Sequence, residues 1–109
     1  MPIARMLVEL RIPTARSLKD RRQVVRSLKD RLRHGFNLSV AELDETVLWQ
    51  SATIGIVAIS CSRDYLRAEM EIVEQAVTRM ATELGAEIED CWWEFVEPDA
   101  SDNITDKLS

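Results

Sequence analysis

Histidine and cysteine are almost missing from this chain, and glycine and proline number three each. With His34 as its one imidazole, the chain has almost no material for histidine-based metal or triad chemistry. Cys61 and Cys91 stand thirty residues apart with no C-x-x-C, a spacing that gives neither a disulfide framework nor a zinc site. They read as small core residues of a reducing compartment. No apolar run approaches the ~20 residues that cross a bilayer. The start, MPIARMLVEL, alternates where a signal peptide would run apolar, so the expected location is the cytoplasm and no membrane partner is expected.

What the chain has in excess is charge, unevenly distributed. Nine of its fourteen Lys and Arg residues lie between Arg11 and Arg33. With only Asp20 and Asp30 as acids there, that segment carries a net +7, against −12 for everything else. The global net charge of −5 conceals this polarity. A local positive potential attracts polyanions whatever the overall sign.

The hydrophobic periodicity gives the fold. Residues 4–12 alternate, with Met6, Val8, Leu10 and Ile12 on one face, and Pro13 ends the strand. Ser17 opens a helix whose apolar face is Leu18, Val25, Leu28 and Leu32, with Gly35 as the stop. Residues 36–43 alternate again, and 47–60, rich in Val, Ile and Thr, read as a long third strand. Gly55 inside it marks a bulge or a close approach of another backbone. Ser60 or Ser62 caps a second helix built on Leu66, Met70, Val73, Val77, Met80 and Leu84, which Gly85 stops. Residues 86–97 form the last strand. The expected architecture is α+β: a ferredoxin-like βαββαβ domain over 1–97, a four-stranded antiparallel sheet with both helices on one face. The polar, acidic residues 98–109 are expected to form a disordered tail that competes for the basic face.

On a helical wheel, Lys19, Arg22, Arg26, Lys29 and Arg33 fall on one flank of the first helix, a stripe of roughly 20 Å. Arg16 and Ser17 stand at its N-terminus, where free N–H groups also favour an anion. Like charges at these spacings repel, so stability alone does not explain the stripe. The reading is that Arg16, Lys19, Arg22, Arg26, Lys29 and Arg33 contact RNA phosphates. The competing reading pairs this flank with the acids of the second helix, Asp64, Glu69, Glu71, Glu74 and Glu83, or with another copy. Arg21 falls inside the apolar stripe and is expected to snorkel or to hold a carboxylate such as Glu9.

Other candidate sites are weaker. Glu42, Asp44 and Glu45 lack the companions of a metal site and read as a hydrophilic turn, so no metal or other cofactor is expected. The first and third strands have no aromatic residue, which removes base stacking on the sheet face. Trp49, Trp93 and Phe95 are expected to share the helix-free face as a protein or homodimer interface, with core packing the default for at least one of the Trp residues. The segment IPTARS has no glycine to let backbone N–H groups converge on a phosphate, and no nucleophile–base pair is evident. A non-enzymatic function is expected.

Three motifs, SLKDRR at 17–22, FNLSVAELD at 36–44 and LWQSATIG at 48–55, resemble those of the YlxP-like family, small bacterial proteins of unknown function. The resemblance is close over the first sixty residues and looser beyond. The chain departs from the family pattern in having Arg11 where a His precedes the proline, and DETV at 44–47 before LWQ. The resemblance implies a ferredoxin-like fold and a role near RNA or the ribosome, some members having been called probable ribosome-binding factors. It brings no catalytic residues.

Overall fold

Strict alternation builds the central strand. β1, Ile3–Arg11, turns Ala4, Met6, Val8 and Leu10 inward, and all four are buried. Our computed structural model describes residues 1–97, so the tail expected at 98–109 lies outside the described residues. β1 is followed by α1 (Leu18–Gly35), β2 (Ser39–Glu42), β3 (Ser51–Ile59), α2 (Arg63–Glu83) and β4 (Glu87–Phe95). The sheet order is β2-β3-β1-β4, and each neighbouring pair is antiparallel. This is the ferredoxin-like βαββαβ arrangement.

The helices start where their caps dictate. Ser17 Oγ accepts the Asp20 N–H, and Asp20 Oδ2 accepts the Arg16 N–H, so side chain and backbone cap each other at the start of α1. For α2 the cap is Ser62, whose Oγ accepts the Tyr65 N–H. At the far end of α2, Gly85 has φ of 81°, and the Ala86 N–H reaches back to the Ala81 carbonyl, a left-handed stop that glycine adopts without a Cβ penalty. Gly35 behaves differently: it is the last residue of α1, and the chain leaves through extended Phe36.

The core lies between the sheet and the two helices. Val25, Leu28 and Leu32 of α1 meet Leu66, Met70, Val73 and Val77 of α2 over the inward side chains of β1 and β3. Each fully buried Leu or Val contributes about 1.5–3 kcal/mol. β2 is shorter than the alternation of 36–43 predicts, and residues 47–50 are a loop before β3, closed by a single bridge between Leu48 and Ser51. That loop is tied down at both sides: the Ile12 N–H donates to the Gln50 carbonyl, and Gln50 Nε2 donates to the carbonyls of Pro13 and Ala15.

β4 carries a bulge. Leu10 pairs with Ile88 while Glu9 pairs with Asp90, leaving Glu89 as the extra residue. The bulge reverses the alternation, so Ile88 and Cys91 both face the helices.

Candidate nucleic-acid interface

α1 presents two flanks to two different neighbours. Arg31 points to α2 and bonds Glu83 at 3.0 Å. Among the described residues this is the one ion pair between the helices. The basic stripe itself lies on the opposite flank, toward β2, so the expected pairing with the acids of α2 is not what absorbs it. Lys29 Nζ reaches Glu42 Oε1 at 3.4 Å. Arg33 donates to the Val40 carbonyl at 3.1 Å and sits 3.8 Å from Asp30. Lys19, Arg22 and Arg26 are exposed, with no ion pair among the described residues, and together with Gln23 and Ser27 they line a shallow surface hollow of ≈ 290 Å³. Arg16 is exposed one turn away.

The six residues expected to meet phosphate therefore divide. Arg16, Lys19, Arg22 and Arg26 remain available, while Lys29 and Arg33 are engaged in fastening α1 to β2. The helix N-terminus is also less open than expected, because Ser17 and Asp20 already accept the N–H groups of Asp20 and Arg16.

Arg21 is buried, with 4% of its surface exposed. Its partner is not Glu9, which lies on the far side of the sheet from α1. Nε donates to the Ser51 carbonyl at 2.9 Å, Nη1 to Glu42 at 3.1 Å and Nη2 to Asp44 at 2.8 Å. Asp44 in turn accepts the Thr53 N–H. The acidic turn read at 42–45 is thus partly the anchor of a guanidinium. Burial pushes the Glu42 carboxyl up, but the Arg21 hydrogen bond and the charges of Lys29 and Arg21 outweigh it, and its pKa is lowered. Among the described residues no group of three or more His, Cys, Asp or Glu is placed to hold a metal ion.

The aromatic residues are arranged otherwise than expected. Trp93 pairs with Met6 and Phe95 with Ala4, both buried, so Trp93 and Phe95 face the helices. There they meet edge to face with centroids 5.3 Å apart, and the Arg63 guanidinium lies 4.0 Å over Phe95. The bulge at Glu89 is the physical reason, since it shifts the parity of everything after it. Trp92 takes the helix-free face, beside Leu7. Trp49 is on the 47–50 loop at the end of the sheet, half exposed, beside Arg11, Pro13 and Glu89.

The helix-free face itself is apolar at its centre. Ala41, Gly55, Leu7 and Trp92 run across it in one row, and Val57 and Ile59 lie beyond. Leu43 folds over Gly55: a Cβ built there would stand 2.7 Å from Leu43 Cδ1. Gly55 thus accommodates a neighbouring side chain, with no bulge and no second backbone. Leu7, Ala41, Leu43, Gly55 and Trp92, with Arg5, Ser39 and Val57, line a groove of ≈ 480 Å³.

Fold and surface together define a small ferredoxin-like α+β protein in which, among the described residues, one helix is basic and one sheet face is open. The chain belongs to the family described as "Protein of unknown function (DUF503)", which matches residues 3–91. The uncharacterized protein YlxP of Bacillus subtilis (strain 168) is 36% identical over 59 residues, 54% of this chain and 64% of that protein. The match thus spans less than two thirds of that relative's length. Among solved structures, the Bacillus subtilis YXEP protein, a dinuclear metal binding peptidase from the M20 family, aligns with a TM-score of 0.51 at 12% identity over 92% of this chain and 28% of its own, a likeness of fold alone. A C-terminal segment of the alpha subunit of aIF2 from Pyrococcus abyssi aligns with a TM-score of 0.48 at 16% identity, over 92% of this chain and 53% of that one.

Proposed function

We propose that this protein is a non-enzymatic binding protein of the cytoplasm that contacts the phosphates of RNA, free or within a ribosomal subunit, through the exposed flank of α1. The observation that carries the reading is the row Lys19, Arg22 and Arg26: three exposed cations on successive turns with no ion pair among the described residues. Neighbouring bases of the same helix are neutralised or bonded to the chain, so these three, with Arg16, are the ones left to meet an external anion. Phosphate contacts fix position and carry little sequence information, so the helix alone confers weak sequence preference.

The test is a salt titration of binding to purified ribosomal RNA and ribosomal subunits. Four phosphate contacts give a drop in affinity on the order of a hundredfold between about 50 and 200 mM salt. The variant Arg22→Glu/Arg26→Glu removes binding while the fold is unchanged. Lys29 is left alone because its bond to Glu42 belongs to the fold. Binding that ignores both salt and the variant sinks the reading. Binding to subunits but not to bare RNA moves the target to a ribosomal protein or a composite site.

A further inference from the structure

The outer face of an antiparallel sheet is ordinarily polar. Here much of it is apolar: Leu43, Val57 and Ile59 are each about half exposed, and Trp92 is 39% exposed. The acids Glu9, Asp90 and Glu94 lie around this centre, with Glu89 at the margin, and both nearby arginines are already paired, Arg5 with Glu94 at 2.9 Å and Arg11 with Glu89 at 2.8 Å. Such a surface repels a polyanion, so it is not an extension of the basic helix.

The size order across the face identifies an occupant. In the central row Ala41 and Gly55 are small, whereas Leu7 and Trp92 are large. The rows on either side are mixed: Ser39 and Thr53 are small, but Val57 stands beside Ser39 and Leu43 beside Thr53 on that half, against Arg5, Glu94, Glu9 and Asp90 on the β1 and β4 half. A two-fold axis along the strands, between β1 and β3, lays the large half of one sheet over the small half of another. It also places Glu94 over Ser39, Glu9 over Thr53 and Asp90 by Leu43, rather than the acids over one another. We infer that two copies of this chain pack face to face about such an axis, the Trp92 indole of each entering the groove beside Ala41 and Val57 of the other.

The dimensions agree. Strands of nine residues run about 30 Å, and four strands span about 19 Å, so the face is on the order of 500 Å² in plan. Side-chain relief brings the accessible area toward the roughly 800 Å² per partner of a standard interface. Aligned sheets pack within about 30° of one another, which a two-fold along the strands allows. The contact is isologous, with the same patch used on both sides, and it closes at two copies.

Sedimentation over a range of micromolar concentrations tests this, with three variants alongside. The expected particle has twice the chain mass of 12.5 kDa. Trp92→Ala should weaken the dimer about a thousandfold, because a two-fold interface loses the tryptophan twice. Ala41→Glu, which occupies the groove from the other side, should dissociate it too. Ile72→Glu, at an exposed position on α2 across the sheet, should leave it intact. Circular dichroism confirms that each variant is folded. A single-chain mass at the highest concentration overturns the inference. So does a dimer that survives both Trp92→Ala and Ala41→Glu, or one that Ile72→Glu dissociates.

Discussion

Arg21 and Asp44 stand 23 residues apart in the chain and meet at 2.8 Å, in a place where α1, β2 and the start of β3 are joined through one guanidinium. The side chains of Arg21 and Asp44 are 4% and 11% exposed, so water does little to replace either partner. Losing one side of a buried pair leaves an uncompensated charge. Arg21→Met should therefore lower stability by about 3 kcal/mol, read as a reduced denaturation midpoint. Arg21→Lys should recover little, because one ammonium cannot reproduce the fork that serves Glu42, Asp44 and the Ser51 carbonyl. Wild-type stability from Arg21→Lys would remove the guanidinium from this role.

The same contact sets an acid dependence. The Glu42 carboxyl has its pKa lowered in the folded protein from the ordinary 4.5. A carboxylate of this kind contributes stability that is present above its unfolded pKa and lost as pH falls through its folded one. Between pH 5 and strongly acid conditions, wild type should lose stability more steeply than Glu42→Gln. Parallel profiles in thermal melts across that window would count against it.

Within the basic helix, single neutralisations should separate available from engaged cations. Lys19→Ala should weaken RNA binding and flatten the salt slope by about 0.7–0.9 per lost contact, with no change in stability. Lys29→Ala should lose less affinity and some stability, since its ammonium holds Glu42. Equal losses of affinity from both would mean that Lys29 leaves Glu42 for the ligand.

Gly55→Ala places a methyl 2.7 Å from Leu43 Cδ1, the far end of a flexible side chain. Leu43 must swing away, and the expected cost is modest, about 1 kcal/mol. A loss several times larger would show that Leu43 cannot give way.

The two thiols should differ in reactivity. Burial, with the nearby charges of Glu74 and Asp90, pushes the Cys91 thiol up to about 11, so almost none of it is thiolate at pH 8. Cys61 is exposed. Alkylation at pH 8 should modify one thiol quickly, and Cys61→Ser should abolish that fast phase. Fast labelling of the Cys61→Ser protein would contradict the burial of Cys91.

The alternation of β1, the spacing in both helices and the caps at Ser17 and Ser62 were legible in the sequence, because each is a local rule repeated over several residues. Arg21 was legible as an oddity, a base within an apolar stripe, but its partners were not. Glu42 and Asp44 come within reach only because the crossover brings β2 beside α1. The wheel likewise showed the basic flank without saying which neighbour it meets, and among the described residues Arg31 is the one base of α1 paired with an acid of α2. The faces of β4 were misread for one reason. Ile88 and Cys91 are three apart, which no unbroken strand can turn to the same side, and that mismatch was the available sign of the bulge at Glu89.

That bulge also assigns two adjacent residues to separate optical tasks. Trp92 and Trp93 are neighbours in the chain, yet one indole looks out from the open face and the other lies beneath the helices against Phe95. With Trp49 replaced by Phe, keeping either one alone gives the protein a fluorophore that reports on a single side of the sheet. Emission from Trp92 then follows events on the open face, and emission from Trp93 follows the seating of the helices.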